Sequence, residues 1–270
     1  MRVEPLTAAT QRAVLEYLDR APYDNVFISH ILLHDASYAS KHVNVIFDEH
    51  GVAGVVYHGR HIVIAAEISA IPALAASLPR HVNARMIIGP RDAVVELWRL
   101  LGERYGRPRL VRDRQLVMMV DRRRLLPGGR TVTVRHARLD EWRTVADGSA
   151  EMIQQELEYD PRRGMPNFDV GVRQMIERKL WWVGLSEGKL CFFCHIGPWS
   201  SRTLQLQGIW TPQPLRGRGL ATASLSAICA RLLEASPTLS LYVNDFNDAA
   251  IALYHRVGFE RVGDFQTILF

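Results

Sequence analysis

Cysteine and lysine are both scarce. Of 33 lysines and arginines only three are lysine, and cysteine also occurs three times in 270 residues. So few cysteines exclude a disulfide framework and fit a reducing compartment. No apolar run approaches the twenty residues that a membrane helix needs. No N-terminal stretch combines a basic start, an apolar segment and a small-residue cleavage site, so a cytoplasmic location is expected. The pair Cys191 and Cys194 has the spacing of a redox or zinc motif. A strand is expected there, and it would set residues three apart on opposite faces, so the two read as packing thiols and no metal is expected. The net charge of +5 admits a nucleic-acid partner. However, no zinc-finger, RNA-recognition or basic-zipper pattern accompanies the arginines, and the cluster Arg122-Arg123-Arg124 leads into Pro127-Gly128-Gly129, the mark of a solvated connector.

What is present begins with 48% hydrophobic residues, enough for a packed globular core. The most informative segment is Arg216-Gly217-Arg218-Gly219-Leu220-Ala221. Before it, Leu204 to Trp210 alternates like a half-buried strand. After it, Leu225, Ile228, Cys229 and Leu232 fall on one helical face. A glycine turn that opens a helix offers free N–H groups and the positive end of the helix dipole to an anion. No lysine follows the glycines, which excludes a Walker A loop, and Thr222 stands where a dinucleotide fingerprint needs its third glycine. A solvated turn is the competing reading.

About twenty-five residues on, Asn247-x-x-Ala250-x-x-Leu253-Tyr254-x-Arg256-x-Gly258-Phe259 follows a second alternating strand, Leu239 to Asn244. Together, Arg216-x-x-Gly219-x-Ala221 and this string resemble the two signature segments of the GNAT superfamily of N-acetyltransferases. The resemblance implies an α/β (α+β) GNAT fold, with a central mixed, mostly antiparallel sheet flanked by helices, and acetyl-CoA as acyl donor. Arg216, Gly217, Arg218, Gly219, Leu220, Ala221 and Thr222 would then cradle its diphosphate. Ile209, Trp210 and Thr211 would lie along the pantetheine arm beside Tyr254; Asn247 would touch the pantetheine or adenine end as well as cap its helix, and Asn244 would bond the arm or merely close the turn. Gly208 suits close approach of that arm or a simple β-bulge. Tyr254 occupies the position whose hydroxyl protonates the departing thiolate.

The general base is less legible. The strand before the loop carries Gln205 and Gln207 where a glutamate is common in the superfamily, and an amide takes no proton at neutral pH. Glu151, Glu156, Glu158 and Asp160 lie in the helical region that lines the acceptor pocket of the superfamily. Glu156 is the choice among them, because it precedes the helix-breaking Asp160-Pro161 and is placed to project into a cleft. His195 and His255 are further options.

From Arg130 onward the order of strands and helices is a complete GNAT order, with a last strand at Phe265–Phe270. Residues 1–124 run through the same general order without the loop motif. That stretch reads as a degenerate GNAT-like or accessory α/β domain, with an unrelated α+β domain as the alternative, and residues 130–270 read as the catalytic domain. The expected partners are acetyl-CoA and an amine acceptor, small molecule or protein, with no nucleic acid and no membrane. A homodimer is the one oligomer considered. The rival from another class is a CoA-binding regulatory or scaffolding protein that has lost acyl transfer.

Overall fold

The computed structural model describes residues 1–79 and 84–270. The first half runs β1 (Arg2–Pro5), α1 (Gln11–Leu18), α2 (Pro22–His34), α3 (Ala36–His42), β2 (Val43–Asp48), β3 (Gly51–His58), β4 (Ile62–Ala66), α4 (Ile71–Ser77), β5 (Met86–Pro90), α5 (Arg91–Tyr105) and β6 (Leu110–Asp121). The second runs β7 (Thr133–His136), α6 (Trp142–Leu157), α7 (Pro161–Gly164), α8 (Phe168–Glu177), β8 (Trp181–Ser186), β9 (Lys189–Trp199), β10 (Leu204–Trp210), α9 (Leu220–Leu232), β11 (Thr238–Asn244), α10 (Asp248–Val257) and β12 (Glu260–Leu269).

Local chemistry sets many of these limits. Pro22 opens α2, where its missing N–H costs nothing. The Asp35 side chain accepts the Tyr38 N–H and starts α3, a helix that the sequence pattern does not announce. Asn247 Oδ1 accepts the Ala250 N–H to cap α10, and Gly258, at φ 104°, ends it. A side chain at Gly258 would collide with the Arg124 carbonyl, because the connector packs against this turn, and Leu126 N–H donates to the Val257 carbonyl. The connector is therefore bonded to the second half rather than solvated. Of its three arginines, Arg122 donates to the Leu233 carbonyl and Arg124 pairs with Asp121 and Glu260.

Among the described residues, twelve strands form one mixed sheet in the order β1-β2-β3-β4-β5-β12-β6-β11-β10-β9-β8-β7. Each half lends the other a strand. The C-terminal β12 inserts between β5 and β6, with Thr267 opposite both Ile88 and Arg112. In turn β6 lies between β12 and β11, with Met118 opposite Leu241. This exchange explains why the last strand outruns its expected bounds: β12 begins at Glu260 rather than Phe265, because it has a partner on either side.

Alternation along β8 and β9 distributes the core of the second half. Trp182 and Phe192 face α9 and α10, with Leu225, Ile228 and Leu241, whereas Trp181, Val183 and Phe193 face α6 and α8. The cysteines depart from the expected pattern. A register shift between Gly184 and Leu185 resets the alternation at Cys191, so Cys191 and Cys194 face the same side. Cys191 Sγ meets the Gly184 carbonyl at 3.4 Å and lies 3.9 Å from Ser224 Oγ on α9. Both thiols are free and buried, and burial raises the pKa of each.

Candidate active site

Strands β10 and β11 run parallel but pair only at Leu204–Leu239 and Gln205–Ser240. Beyond those positions they part. On the other edge of β10 the register with β9 shifts between Gln207 and Trp210, and Gly208 takes φ 60°. This is a β-bulge, and it requires glycine: a Cβ there would stand 2.7 Å from His195 Cδ2. The bulge and the parted strands open a cavity of about 1050 Å³.

Elements of both halves wall the cavity. Gly208 and Ile209 come from β10, Tyr242 and Asn244 from β11, and Tyr254 from α10. Glu156 comes from α6, and Arg60, His61, Arg85 and Arg112 from the first half. Among the described residues, seven buried side-chain polar atoms lack a hydrogen-bond partner. Four of them belong to residues of this wall: His61 Nδ1, Arg112 Nη2, Trp181 Nε1 and Asn244 Oδ1. A buried polar group normally finds a partner, so their concentration here marks a place built to receive one.

Tyr254 is 7% exposed, and its hydroxyl makes no hydrogen bond to the described residues. Burial first, and then the nearby Glu156 carboxylate, push its pKa well up, so the phenol keeps its proton. Glu156 stands across from it, with Oε2 at 3.7 Å from Arg112 Nη2. The Glu156 side chain is 47% exposed, and partial desolvation inside the cavity raises its pKa against the opposing pull of Arg112. His195 also lines the cavity, its ring tilted against Trp181 with centroids 4.6 Å apart, but burial lowers it to about 4, leaving a neutral and weakly basic ring. His255 is outside the cavity wall, its Nδ1 3.1 Å from the Phe259 carbonyl oxygen. Gln207 lines the cavity and donates to Gln205 Oε1, so neither amide acts as a base.

The glycine loop lies at the outer end of β10. Gly217 and Gly219 both take left-handed φ, at 74° and 75°, and Gly219 is the N-cap of α9 without a side-chain cap. No described protein group accepts the N–H groups of Gly217 through Ala221. Nothing lies within 4 Å of a Cβ placed on Gly217, and only Arg130 approaches one placed on Gly219, at 3.4 Å. Free donors, a helix of thirteen residues behind them and space in front fit an oxyanion. Leu220 turns its side chain into the core, so that only its backbone faces the loop, and Ala221 and Thr222 complete the first turn. Arg218 is exposed, while Arg216 folds back with its guanidinium 4.3 Å over the Trp210 ring and its Nε donating to the Thr211 carbonyl.

The residues singled out from sequence thus divide into groups. Ile209, Asn244, Asn247, Tyr254 and Glu156 line the cavity. Arg216 through Thr222 form the loop and first turn of α9. Trp210 is core, packed beside Gly148 of α6, and Thr211 is buried as an anchor for Arg216. Arg112, Trp181 and Arg130 escaped the sequence reading. Arg112 is brought in by the strand exchange, and Arg130 by a connector that packs on α9, and neither has a local motif.

A sequence profile of the acetyltransferase (GNAT) family matches residues 140–259, and a domain of unknown function (DUF4081) matches residues 42–145. No curated protein matches the sequence. Among solved structures, an acetyltransferase of the GNAT family from Colwellia psychrerythraea is similar with TM-score 0.58 and 12% identity, covering 100% of both chains. A GCN5-related N-acetyltransferase from Sphaerobacter thermophilus has TM-score 0.57 and 16% identity, covering 99% of this chain and 94% of that one. A tandem GNAT protein from the clavulanic acid biosynthesis pathway has TM-score 0.52 and 12% identity, over 98% and 97%. At such identities these structures speak for the fold. Residues 140–259 belong to the acetyltransferase (GNAT) family, and the chain as a whole carries the tandem GNAT fold.

Proposed function

We propose that the protein transfers an acetyl group from acetyl-CoA to a primary amine, with the donor held by residues 130–270 and the first half closing the acceptor side. The observation that carries this reading is the uncapped, Cβ-free N-terminus of α9 at the end of a parted strand pair whose gap holds Tyr254. The backbone N–H groups of Gly217 to Ala221 would take the diphosphate, and the free edge of β10 from Gly208 to Thr211 would pair with the pantetheine amides. CoA supplies an activated thioester and a thiol leaving group.

The chain's own groups would then manage two protons. The Glu156 carboxylate takes one from the incoming ammonium, directly or through a water, and exposes the nucleophilic lone pair. The amine nitrogen attacks the carbonyl carbon, the carbon–sulfur bond breaks, the Tyr254 hydroxyl hands its proton to the departing sulfur, and the surplus proton on the acylated nitrogen passes through water to restore the phenol. Attack is direct, since all three cysteines face the α9 and α10 side of the core with raised pKa values and serve packing. Release of free thiol from acetyl-CoA in the presence of a panel of primary amines tests the reading. Wild type should turn over with at least one amine, and Tyr254→Phe should lower kcat by about 10- to 1000-fold with acetyl-CoA affinity nearly intact. Tight CoA binding without turnover on any amine would favour a regulatory or scaffolding protein instead.

A further inference from the structure

The acceptor end of the cavity is charged in a way that simple amine transfer does not require. Among the described residues its wall carries three arginines, Arg60, Arg85 and Arg112, against one carboxylate, Glu156. Arg112 is the innermost. Its side chain is 14% exposed, its Nη2 is buried without a hydrogen-bond partner, and Glu156 Oε2 at 3.7 Å is too far to be one. His61 Nδ1 is a second unpartnered buried atom on the same wall. Arg60 and Arg85 stand at the mouth, tied together by the bond from Arg85 N–H to the Arg60 carbonyl at 3.0 Å. Neither makes an ion pair among the described residues, and Arg80, His81, Val82 and Asn83 contain no carboxylate that could supply one.

These arginines are not part of the diphosphate loop. The loop opens α9, which packs on one face of the sheet, whereas Arg112 faces Glu156 on α6, which packs on the other. A wall with three guanidinium groups, one of them beside Glu156 and two at the mouth, would repel a bare ammonium on its way to the base. An amine that also carries an oxyanion meets the opposite situation, because the arginines then attract its far end while Glu156 receives its nitrogen. Arginine suits this purpose, with its donors arranged to grip a carboxylate or a phosphate at two points.

We infer that the acceptor is an amine bearing its own oxyanion, a carboxylate or a phosphate, held by Arg112, Arg60 and Arg85 with its nitrogen toward Glu156. This rests on the acetyl-transfer reading above and narrows the acceptor class.

The test uses matched amines on the whole protein. Phenylalanine against phenethylamine forms the carboxylate arm, and glucosamine 6-phosphate against glucosamine the phosphate arm. In at least one arm the anionic member should show kcat/KM about 10- to 100-fold above its neutral partner. Arg60→Gln/Arg85→Gln should shrink that ratio at least fivefold by raising KM for the anionic member, with thermal unfolding as the folding control. The arm that discriminates names the oxyanion. Neutral members that match or exceed their partners in both arms overturn the proposal, as does a variant that depresses both members equally. If no amine releases thiol, acetyl transfer fails, yet calorimetric titration of the same pairs into the CoA-saturated protein still decides the anion site. Binding of an anionic member tenfold tighter than its partner supports the site, and equal or absent binding overturns it.

Discussion

Strands β4 and β5 of the first half and β10 and β11 of the second are both parallel pairs joined at only two register positions. Past those positions the halves diverge. In the second, Gly208 bulges, the strands part, and α9 begins on two left-handed glycines with its N–H groups free. In the first, Gly89 of β5 lies close enough to the Ile64 carbonyl that a Cβ would come within 2.9 Å. The helix that follows β4 starts without a glycine loop and buries Ile71, Leu74 and Ala75. The inner face of α5 is aliphatic, with Ala93, Val94, Leu97 and Leu101, where α10 offers Tyr254. The same order of elements can therefore make a cleft or a closed core. The choice rests on a few residues at the strand ends: glycines with positive φ and no capping side chain open the site, and apolar side chains fill it. The first half, whose corresponding strand ends are filled, contributes wall residues and a strand instead.

The strand exchange ties the two halves into one folding unit, which predicts the largest effect. Removing residues 260–270 leaves β5 and β6 without the strand between them and strips Phe265 and Ile268, both nearly fully buried, from the core. Those two side chains alone contribute about 1.5–3 kcal/mol each, and the two ladders of backbone bonds add to the loss. The truncated chain should show no cooperative unfolding transition by circular dichroism. A stable, cooperatively folding truncation would mean that the halves are independent.

A smaller effect probes how the first half leans on the borrowed strand. Asp24 of α2 lies against β12, where a Cβ on Gly263 would sit 3.2 Å from its Oδ1. Burial drives the Asp24 carboxyl up to about 6 from 3.8. The folded state thus holds this proton more tightly than the unfolded chain does. Stability that is fully present below pH 4 is lost as the pH rises through 6, where a charge must stay buried. Asp24→Asn should raise the stability at pH 8 by on the order of 1–2 kcal/mol, read as a gain of a few degrees in Tm. It should give no gain at pH 4. A gain of the same size at both pH values would remove charge burial as the cause.

The glycine-loop side of the candidate site was legible in the sequence because its physics is local. A glycine turn before an apolar helix, Asn247 as a cap and Gly258 as a stop each act within a few residues, and these elements stand where the pattern puts them. The acceptor side was not, since its wall is assembled from long-range contacts. Arg112 reaches Glu156 only because β6 crosses into the other half's sheet, and no spacing in the chain encodes that. The bulge at Cys191 is a similar case: one register shift against β8 turned two thiols onto the same face, against simple alternation. Glu156 could be singled out by its place before Asp160-Pro161, but the partial desolvation that raises its pKa comes from the cavity's long-range assembly.

Calorimetric titration of acetyl-CoA into wild type and Gly219→Val tests most directly the claim that one half holds a donor site and the other does not. Valine at this left-handed position would place a branched side chain in front of the free N–H groups. One molecule should bind per chain of wild type, and the variant should bind at least tenfold more weakly while still unfolding cooperatively. Two molecules per chain, or unchanged affinity in a folded Gly219→Val, would contradict it.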